Sequence, residues 1–241
     1  MVVHVYENQV QLAKAAAALF ASQILRKPDS VLGLATGSTP VDTYKELVKL
    51  NKEGVLDFSK VKSFNLDEYV GLPATHPESY ISFMRRNLFD HINIRQTRLP
   101  NGMAEDLQKE CREYDEAIKA AGGVDLQLLG IGNNGHIGFN EPASHFSFDT
   151  GVVELTDSTI KANRRFFEKE EDVPRRAITM GIGTIMAAKY IMLLAIGEGK
   201  ADAVKAMVEG DITPLYPASI LKNHPKVVVL LDKAAASKLS L

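Results

Sequence analysis

One cysteine among 241 residues, Cys111, leaves no partner for a disulfide within the chain, which points to a reducing, cytoplasmic setting. An excess of basic residues is also missing: 28 Lys and Arg face 30 Asp and Glu, for a formal net charge of −2. Binding along a nucleic acid or onto an anionic membrane needs many phosphates neutralised at once, so neither partner is expected. A small anionic ligand held by a few local cations stays open. No apolar run approaches 18 residues and no charged-then-apolar leader begins the chain, so neither a membrane span nor a secretory signal is expected. His-x-x-x-His and paired Cys/His spacings do not occur, which argues against a bound metal. Repeats, low-complexity tracts and Pro/Gly/Ser-rich linkers are missing as well, so residues 1–241 read as one domain. With 45% hydrophobic and 24% charged residues, the composition is that of an ordinary soluble globular protein.

What is present is an alternation of short apolar runs with longer amphipathic ones. Residues 2–6 predict a strand, and Val10, Ala13, Ala17, Phe20 and Ile24 predict one face of a helix closed by Lys27-Pro28-Asp29-Ser30. Residues 31–35 predict a buried strand. Thr36-Gly37-Ser38-Thr39-Pro40 then turns it into a helix, with Thr39 as cap, Pro40 at the first helical position and Gly54 at the stop. A third strand at 61–66 ends in Asp67-Glu68, and a loop to Pro77 leads to a helix around 78–91. Asn101-Gly102 precedes a helix striped by Leu107, Cys111, Tyr114 and Ile118, where Cys111 reads as a small core hydrophobe. A buried strand at 124–131 follows. Residues 146–174 are less regular, with a brief strand at 152–155 and a polar helical piece through Arg165. Long irregular connections in compact domains are usually functional or disordered, so about 143–175 is expected to act as a lid. Strands at 177–180, 190–196 and 227–231 and helices at 183–189 and 199–209 complete the pattern. It predicts an α/β fold: a doubly wound, mostly parallel, Rossmann-like sheet in a three-layer αβα arrangement with right-handed crossovers.

Residues 126–142 run from an apolar segment, of the kind covered on both faces in a parallel sheet, into four glycines, two amides, a histidine and a glutamate. Ligands of open α/β sheets bind beyond the carboxyl ends of strands, where this polar half would lie. Gly130, Gly132, Gly135 and Gly138 are expected to take positive φ and let the backbone approach a ligand. His136 and Glu141 supply a titrating base and a carboxylate. Residues 130–135 match a dinucleotide fingerprint in form, but no helical apolar stripe follows and Pro142 ends the segment. A nicotinamide or flavin cofactor is therefore not expected.

Thr36-Gly37-Ser38-Thr39 suits a phosphate, since small residues expose N–H groups, hydroxyls donate, and a helix dipole stands behind. It lacks the lysine of a nucleotide P-loop, and an ordinary capped turn is the other reading. Arg165 and Lys200 are the cations that could complete such a site. Lysine at a helix amino terminus is unfavourable unless an anion sits there, so Lys200 is the more telling, although either alone also reads as a solvated surface charge. Asp67 and Glu68 repel each other, which raises a carboxyl pKa when the pair is buried and makes one of them a candidate general base. A capping or salt-bridged pair is the alternative. His136 alone could be a structural histidine. With Glu141 five residues on in a glycine-bent loop, the carboxylate can orient the imidazole and sustain its basicity.

Taken together, Leu34-Ala35-Thr36-Gly37-Ser38-Thr39-Pro40, Asn65-Leu66-Asp67-Glu68-Tyr69, residues 130–142 and Arg164-Arg165-Phe166-Phe167 resemble the isomerising glucosamine-6-phosphate deaminases over nearly the whole chain. The resemblance implies conversion of glucosamine 6-phosphate and water to fructose 6-phosphate and ammonia, in amino-sugar catabolism, with no organic cofactor or metal. It implies Asp67 as proton shuttle between C2 and C1, with Glu68 in support, and His136 with Glu141 and Asn134 for ring opening. The phosphate would be held by Thr36, Gly37, Ser38 and Thr39 with Arg165 and Lys200. The expected partner is the small phosphorylated amino sugar, and the protein a monomer or small homo-oligomer. The chemistry agrees: ring opening asks for a base near neutral pKa, and moving a proton between adjacent carbons asks for one carboxylate on one face.

Many relatives, including allosteric hexamers, carry aspartate where this sequence has Asn134. An amide can orient His136 by hydrogen bonding but cannot ionise, leaving Glu141 as the acid of the loop. The chain also ends soon after its last strand, whereas regulated members continue; both features resemble the shorter bacterial enzymes without activation by N-acetylglucosamine 6-phosphate. The 6-phosphogluconolactonases have similar phosphate and Gly-His loops, but Phe139-Asn140-Glu141-Pro142 and residues 65–69 speak against that activity. A sugar-phosphate sensor is disfavoured because no helix-turn-helix module precedes the domain and the full acid/base set is present.

Overall fold

The computed structural model describes residues 1–164, 167 and 169–240. β1 (Val2–Tyr6) leads into α1 (Gln9–Arg26), where Asn8 accepts the Gln11 N–H at 3.0 Å as N-cap. Next come β2 (Val31–Leu34), α2 (Val41–Lys52), β3 (Lys62–Asn65), β4 (Asp67–Tyr69), α3 (Tyr80–Asn87), β5 (Gln96–Arg98) and α4 (Leu107–Ala120). The second half runs β6 (Leu126–Leu129), β7 (Gly151–Glu154), α5 (Asp157–Asn163), β8 (Arg176–Thr179), α6 (Ile182–Met186), β9 (Ile191–Ala195), α7 (Ala201–Val208) and β10 (Val227–Asp232).

Seven strands form one parallel sheet in the order β1-β10-β9-β6-β2-β3-β5. Its inner strands β2, β6 and β9 are buried at every position, because helices cover both faces and leave no solvent side on which to alternate. Right-handed crossovers decide which face each helix takes. Both β1→β2 and β2→β3 step the same way, so α1 and α2 share a face and pack together. From β5 the chain returns through β6, β9 and β10 in the opposite sense, which places α4 and α7 on the other face. The winding therefore reverses between β2 and β6, and a crevice opens at their carboxyl ends. Phe20, Leu47, Tyr114, Leu128 and Met207 belong to the single large core that joins the layers.

A second sheet, antiparallel and ordered β4-β8-β7, carries its own small core of Tyr69, Phe139, Leu155, Ile160, Phe167, Val173 and Ala177. Two strand expectations change here. The strand expected at 61–66 breaks after Asn65, and Asp67 opens β4 opposite Thr179 of β8. The strand expected at 177–180 belongs to this second sheet as well. Met180 N–H donates to Leu66 O at 2.7 Å, tying the two sheets at the break.

Other differences are local. Thr39 does not cap α2: Pro40 occupies the N-cap position, without a side-chain bond. Val10 is 57% exposed and lies off the buried face of α1. β5 gives no apolar signal because it is a polar edge strand, Gln96-Thr97-Arg98. Within 143–175, the first part is anchored to the main body. Thr150 donates from N and Oγ1 to buried Asp115 at 2.9 and 2.6 Å, and Gly183 N–H donates to Phe148 O at 2.9 Å. Among the described residues of this span, those that reach the crevice, Thr159 and Asn163, belong to α5. Among the described residues, no helix is long and apolar enough to cross a membrane.

Candidate active site

The ends of β2, β6 and β9 and the β3–β4 break surround a cavity of about 620 Å³ in this crevice. Behind β2, Thr36, Gly37, Ser38 and Thr39 line it, with Gly37 at φ +95° making the turn. Among the described residues, no acceptor takes the N–H groups of Gly37, Ser38 or Thr39, and the amino terminus of α2 follows at once. Free N–H groups with a helix dipole behind them form a place for an anion. Behind β9, Lys200 lines the same cavity from the N-cap position of α7. It sits at the end of a tight turn that begins at Gly197, φ +89°. Both carboxylate oxygens of Asp232 hold the Gly197 N–H, at 3.0 and 3.1 Å. Arg165, the other cation expected from the sequence, lies outside the described residues, as does Phe166.

The adjacent carboxylates divide the two readings between them. Glu68 accepts the N–H groups of Tyr69 and Tyr80 at 2.9 Å and of Ile81 at 3.0 Å, capping the start of α3. Its burial raises its pKa against those hydrogen bonds. Asp67 is 6% exposed and borders the cavity. No described residue gives its carboxylate a hydrogen bond. Burial, and then the charge of Glu68, push the Asp67 carboxyl up to about 8. So Glu68 is the capping carboxylate, and Asp67 faces the cavity without a hydrogen-bond partner among the described residues.

The loop after β6 is folded by Gly132 N–H donating to His136 O at 2.9 Å and Gly135 N–H to Gly132 O at 3.0 Å. Only two of its four glycines, Gly135 and Gly138, take positive φ. Gly132 is needed for another reason: a Cβ there would lie 2.4 Å from His136 Cε1, so the imidazole rests on its backbone. His136 Nδ1 comes within 3.2 Å of Glu141 Oε2, close but not aligned as a hydrogen bond. Glu141 Oε2 accepts from Asn134 Nδ2 at 2.6 Å, and Oε1 accepts from Thr159 Oγ1 at 2.5 Å. Burial opposes the charge on Glu141, but His136, Thr159 and Asn134 outweigh it and hold the carboxyl down at about 2. Asn134 thus holds Glu141 rather than the ring; among the described residues its Oδ1 accepts only the His136 backbone N–H, at 3.3 Å.

Asp67, Asn134, His136, the 36–39 turn and Lys200 all line one cavity, and Glu141 stands directly behind His136. Sequence reasoning missed Tyr80, Thr159 and Asn163, which also line it. Tyr80 stacks on Phe139 at 6.2 Å and 12°, and Asn163 Nδ2 donates to the Tyr69 hydroxyl at 2.9 Å. These three come from α3 and α5, whose arrival no local pattern announces. Among the described residues, no group of three or more His, Cys, Asp or Glu is placed to hold a metal. The constellation offers an unpaired carboxylate, an imidazole–carboxylate couple and an anion turn within one enclosure.

Known proteins resemble the chain over nearly its whole length. The family described as glucosamine-6-phosphate isomerases/6-phosphogluconolactonase matches residues 7–230. The glucosamine-6-phosphate deaminase of Alkaliphilus oremlandii is 56% identical, over 99% of this chain and 100% of its own length. That of Clostridioides difficile is 58% identical, over 95% and 93%. The solved structure of a monomeric glucosamine-6-phosphate deaminase covers 99% of this chain and 100% of its own, with TM-score 0.97 at 45% identity. The 6-phosphogluconolactonase from Trypanosoma cruzi, at 19% identity and TM-score 0.79 over 100% of this chain and 97% of its own, shares the fold. By sequence over its full length and by fold, the chain belongs to the glucosamine-6-phosphate isomerase/6-phosphogluconolactonase family, among the glucosamine-6-phosphate deaminases.

Proposed function

We propose that the chain converts glucosamine 6-phosphate and water to fructose 6-phosphate and ammonia, with Asp67 and His136 as its catalytic pair. The observation that carries this reading is Asp67, a buried carboxylate without a hydrogen-bond partner among the described residues, in the same cavity as an anion-binding turn. A buried carboxylate is costly to ionise until a cation comes beside it. Glucosamine 6-phosphate brings that cation, its C2 ammonium, together with a phosphate for the turn. A phosphogluconolactone brings the phosphate alone.

His136 takes the proton of the C1 hydroxyl and returns one to the ring oxygen, giving the open-chain aldehyde; Glu141, held charged, keeps the imidazole in place. The ammonium draws Asp67 below its resting value of about 8 and leaves it ionised. The nitrogen releases a proton to His136, and Asp67 takes the C2 proton while the electron pair moves into a C1–C2 double bond and His136 passes its new proton to the carbonyl oxygen, giving the enolamine. Asp67 returns its proton to C1, which leaves an iminium at C2. Water adds there and passes a proton to the nitrogen, and the C–N bond breaks as the new hydroxyl gives up its own proton, so that ammonia and one proton leave with the ketose behind. One carboxylate on one face serves both carbons.

Thr36, Gly37, Ser38, Thr39 and Lys200, with Arg165 from the β7–β8 connection, hold the phosphate, whose binding energy places C1 and C2 over Asp67. Glu68 supports Asp67 by fixing the start of α3 behind it. The enzyme acts as a monomer, as the solved relative does, and works in the cytoplasm. Of the span 143–175, α5 is the part that closes over the substrate. The test is a paired assay on the purified protein. Ammonia and fructose 6-phosphate should appear in equal amounts from glucosamine 6-phosphate, with 6-phosphogluconolactone hydrolysed no faster than in buffer. Lactone hydrolysis without ammonia release would overturn the reading.

A further inference from the structure

The ring-opening loop and α5 meet at one short hydrogen bond, and its direction is fixed by chemistry. Glu141 is held ionised, so both its oxygens can only accept. The single hydroxyl proton of Thr159 must therefore point to Glu141 Oε1, at 2.5 Å. Thr159 Oγ1 in turn accepts from Thr156 Oγ1 at 3.1 Å, and Thr156 caps α5 by accepting the Thr159 N–H at 3.3 Å. Thr159 is 7% exposed although it borders the cavity. One helical turn on, Asn163 ties the same face of α5 to Tyr69, and Ile160 sits in the small second core.

The terminal torsion of a glutamate is broad and does not by itself choose a carboxylate orientation. Here the two oxygens have separate tasks: Oε1 takes Thr159, and Oε2 takes Asn134 and faces His136. Fixing Oε1 therefore fixes the plane that presents Oε2 to the imidazole. His136, on the same loop, is the titratable group facing Glu141, and α5 brings the neutral hydroxyl of Thr159. We propose that Thr159 is a positioning residue that couples the docking of α5 over the cavity to the orientation of Glu141 against His136, so that the ring-opening couple is complete only when α5 is closed. The coupling rests on the deaminase reading for its consequence in turnover, but not for its existence.

Two measurements test it. In turnover of glucosamine 6-phosphate, Thr159→Val should lower kcat per folded molecule about tenfold, the scale of a lost positioning contact, with KM within about threefold. Thr159→Ser, which keeps the hydroxyl, should restore most of the loss, and Thr159→Ala should behave as the valine variant does. Coupling is reciprocal, so removing the acceptor with Glu141→Ala should speed amide hydrogen exchange across residues 157–163 several-fold. A valine variant with wild-type kcat, or equal losses in the serine and valine variants, overturns the proposal. So does exchange in 157–163 that ignores Glu141→Ala. The exchange arm needs no turnover, so a wild-type protein that releases no ammonia refutes the assigned activity and leaves the coupling to be judged on exchange alone.

Discussion

Asn134 donates from Nδ2 to Oε2 of Glu141 at 2.6 Å, the same oxygen that faces His136 Nδ1 at 3.2 Å. A neutral donor therefore stands where a second acid would compete with Glu141. Asn134→Asp keeps the acceptor for the His136 backbone N–H but exchanges the donor for a charge, and two carboxylates at this distance cannot both stay ionised cheaply. One of the pair must be raised from the low value near 2 that Glu141 now has. A raised carboxyl takes its proton earlier as pH falls, so activity should be lost sooner on the acid side. We expect kcat/KM at pH 6 to fall about tenfold against wild type and to stay within about threefold at pH 8. Superimposable pH–rate profiles would refute this.

Asp67→Asn separates catalysis from stability. Loss of the carboxylate proposed to carry the proton between C2 and C1 should lower kcat by about a thousandfold or more, while a non-reacting sugar phosphate binds nearly as before. Stability should move the other way. The folded protein holds the Asp67 proton up to about pH 8, whereas an exposed aspartate releases it near 3.8. Ionisation is thus easier in the unfolded chain, and the native state loses stability as pH rises between those values. A tenfold change in an ionisation constant is worth about 1.4 kcal/mol, so the advantage of the asparagine variant should grow by on the order of 4 kcal/mol from pH 5 to pH 9, most of it below pH 8. Urea unfolding at the two pH values checks it, and a pH-independent difference would sink the argument.

The inner strands were legible because burial on both faces writes itself into sequence: Val31-Leu32-Gly33-Leu34 and Ile191-Met192-Leu193-Leu194-Ala195 leave no polar position to hide. The stripe of α4 was legible for the same reason, with Cys111, Tyr114 and Ile118 buried as their spacing demands. β5 was not, since a polar edge strand is held by backbone pairing that any side chains permit. Asp67 and Glu68 were visible as a pair. Which of them caps depends on the N–H groups of Tyr80 and Ile81, twelve and thirteen residues on. His136 and Glu141 were readable together because one glycine-bent loop holds both. Thr159 reaches Glu141 from eighteen residues away, through a helix whose docking depends on Tyr69 and a separate small core.

Gly132→Ala should damage catalysis without damaging the fold. Its backbone is not in the left-handed region, so alanine brings no torsional strain. The added carbon would instead meet the His136 ring, at 2.4 Å from Cε1 and 2.5 Å from both nitrogens. The ring must move, and Glu141 Oε2, fixed by Asn134, cannot follow it. Misplacing a reacting group by about 1 Å can cost about a hundredfold in rate, and kcat should fall on that scale with far-UV dichroism and Tm near wild type. Gly135→Ala should be worse for folding, because φ there is +85° and the new carbon meets Tyr216 at 3.0 Å. Equal Tm losses in the two variants would contradict this division.

Asp232 holds the turn that carries Lys200, and so bears on the proposed phosphate site. Its two oxygens accept the Gly197 N–H at 3.0 and 3.1 Å, and Oδ1 also accepts the Ala235 N–H at 2.7 Å. Three residues beyond Gly197, the turn delivers Lys200 to the cavity wall. Asp232→Asn would set an amide donor against those N–H groups and loosen the turn, leaving Asp67 and His136 untouched. The phosphate is remote from the reacting carbons, and a loss of binding common to ground and transition states raises KM with kcat nearly unchanged. We expect KM for glucosamine 6-phosphate to rise about tenfold in Asp232→Asn and further in Lys200→Ala, with kcat within about threefold for Asp232→Asn. Inorganic phosphate, tested as a competitive inhibitor, should weaken in parallel. If Asp232→Asn lowers kcat while phosphate inhibition stays as in wild type, the turn does not serve the phosphate.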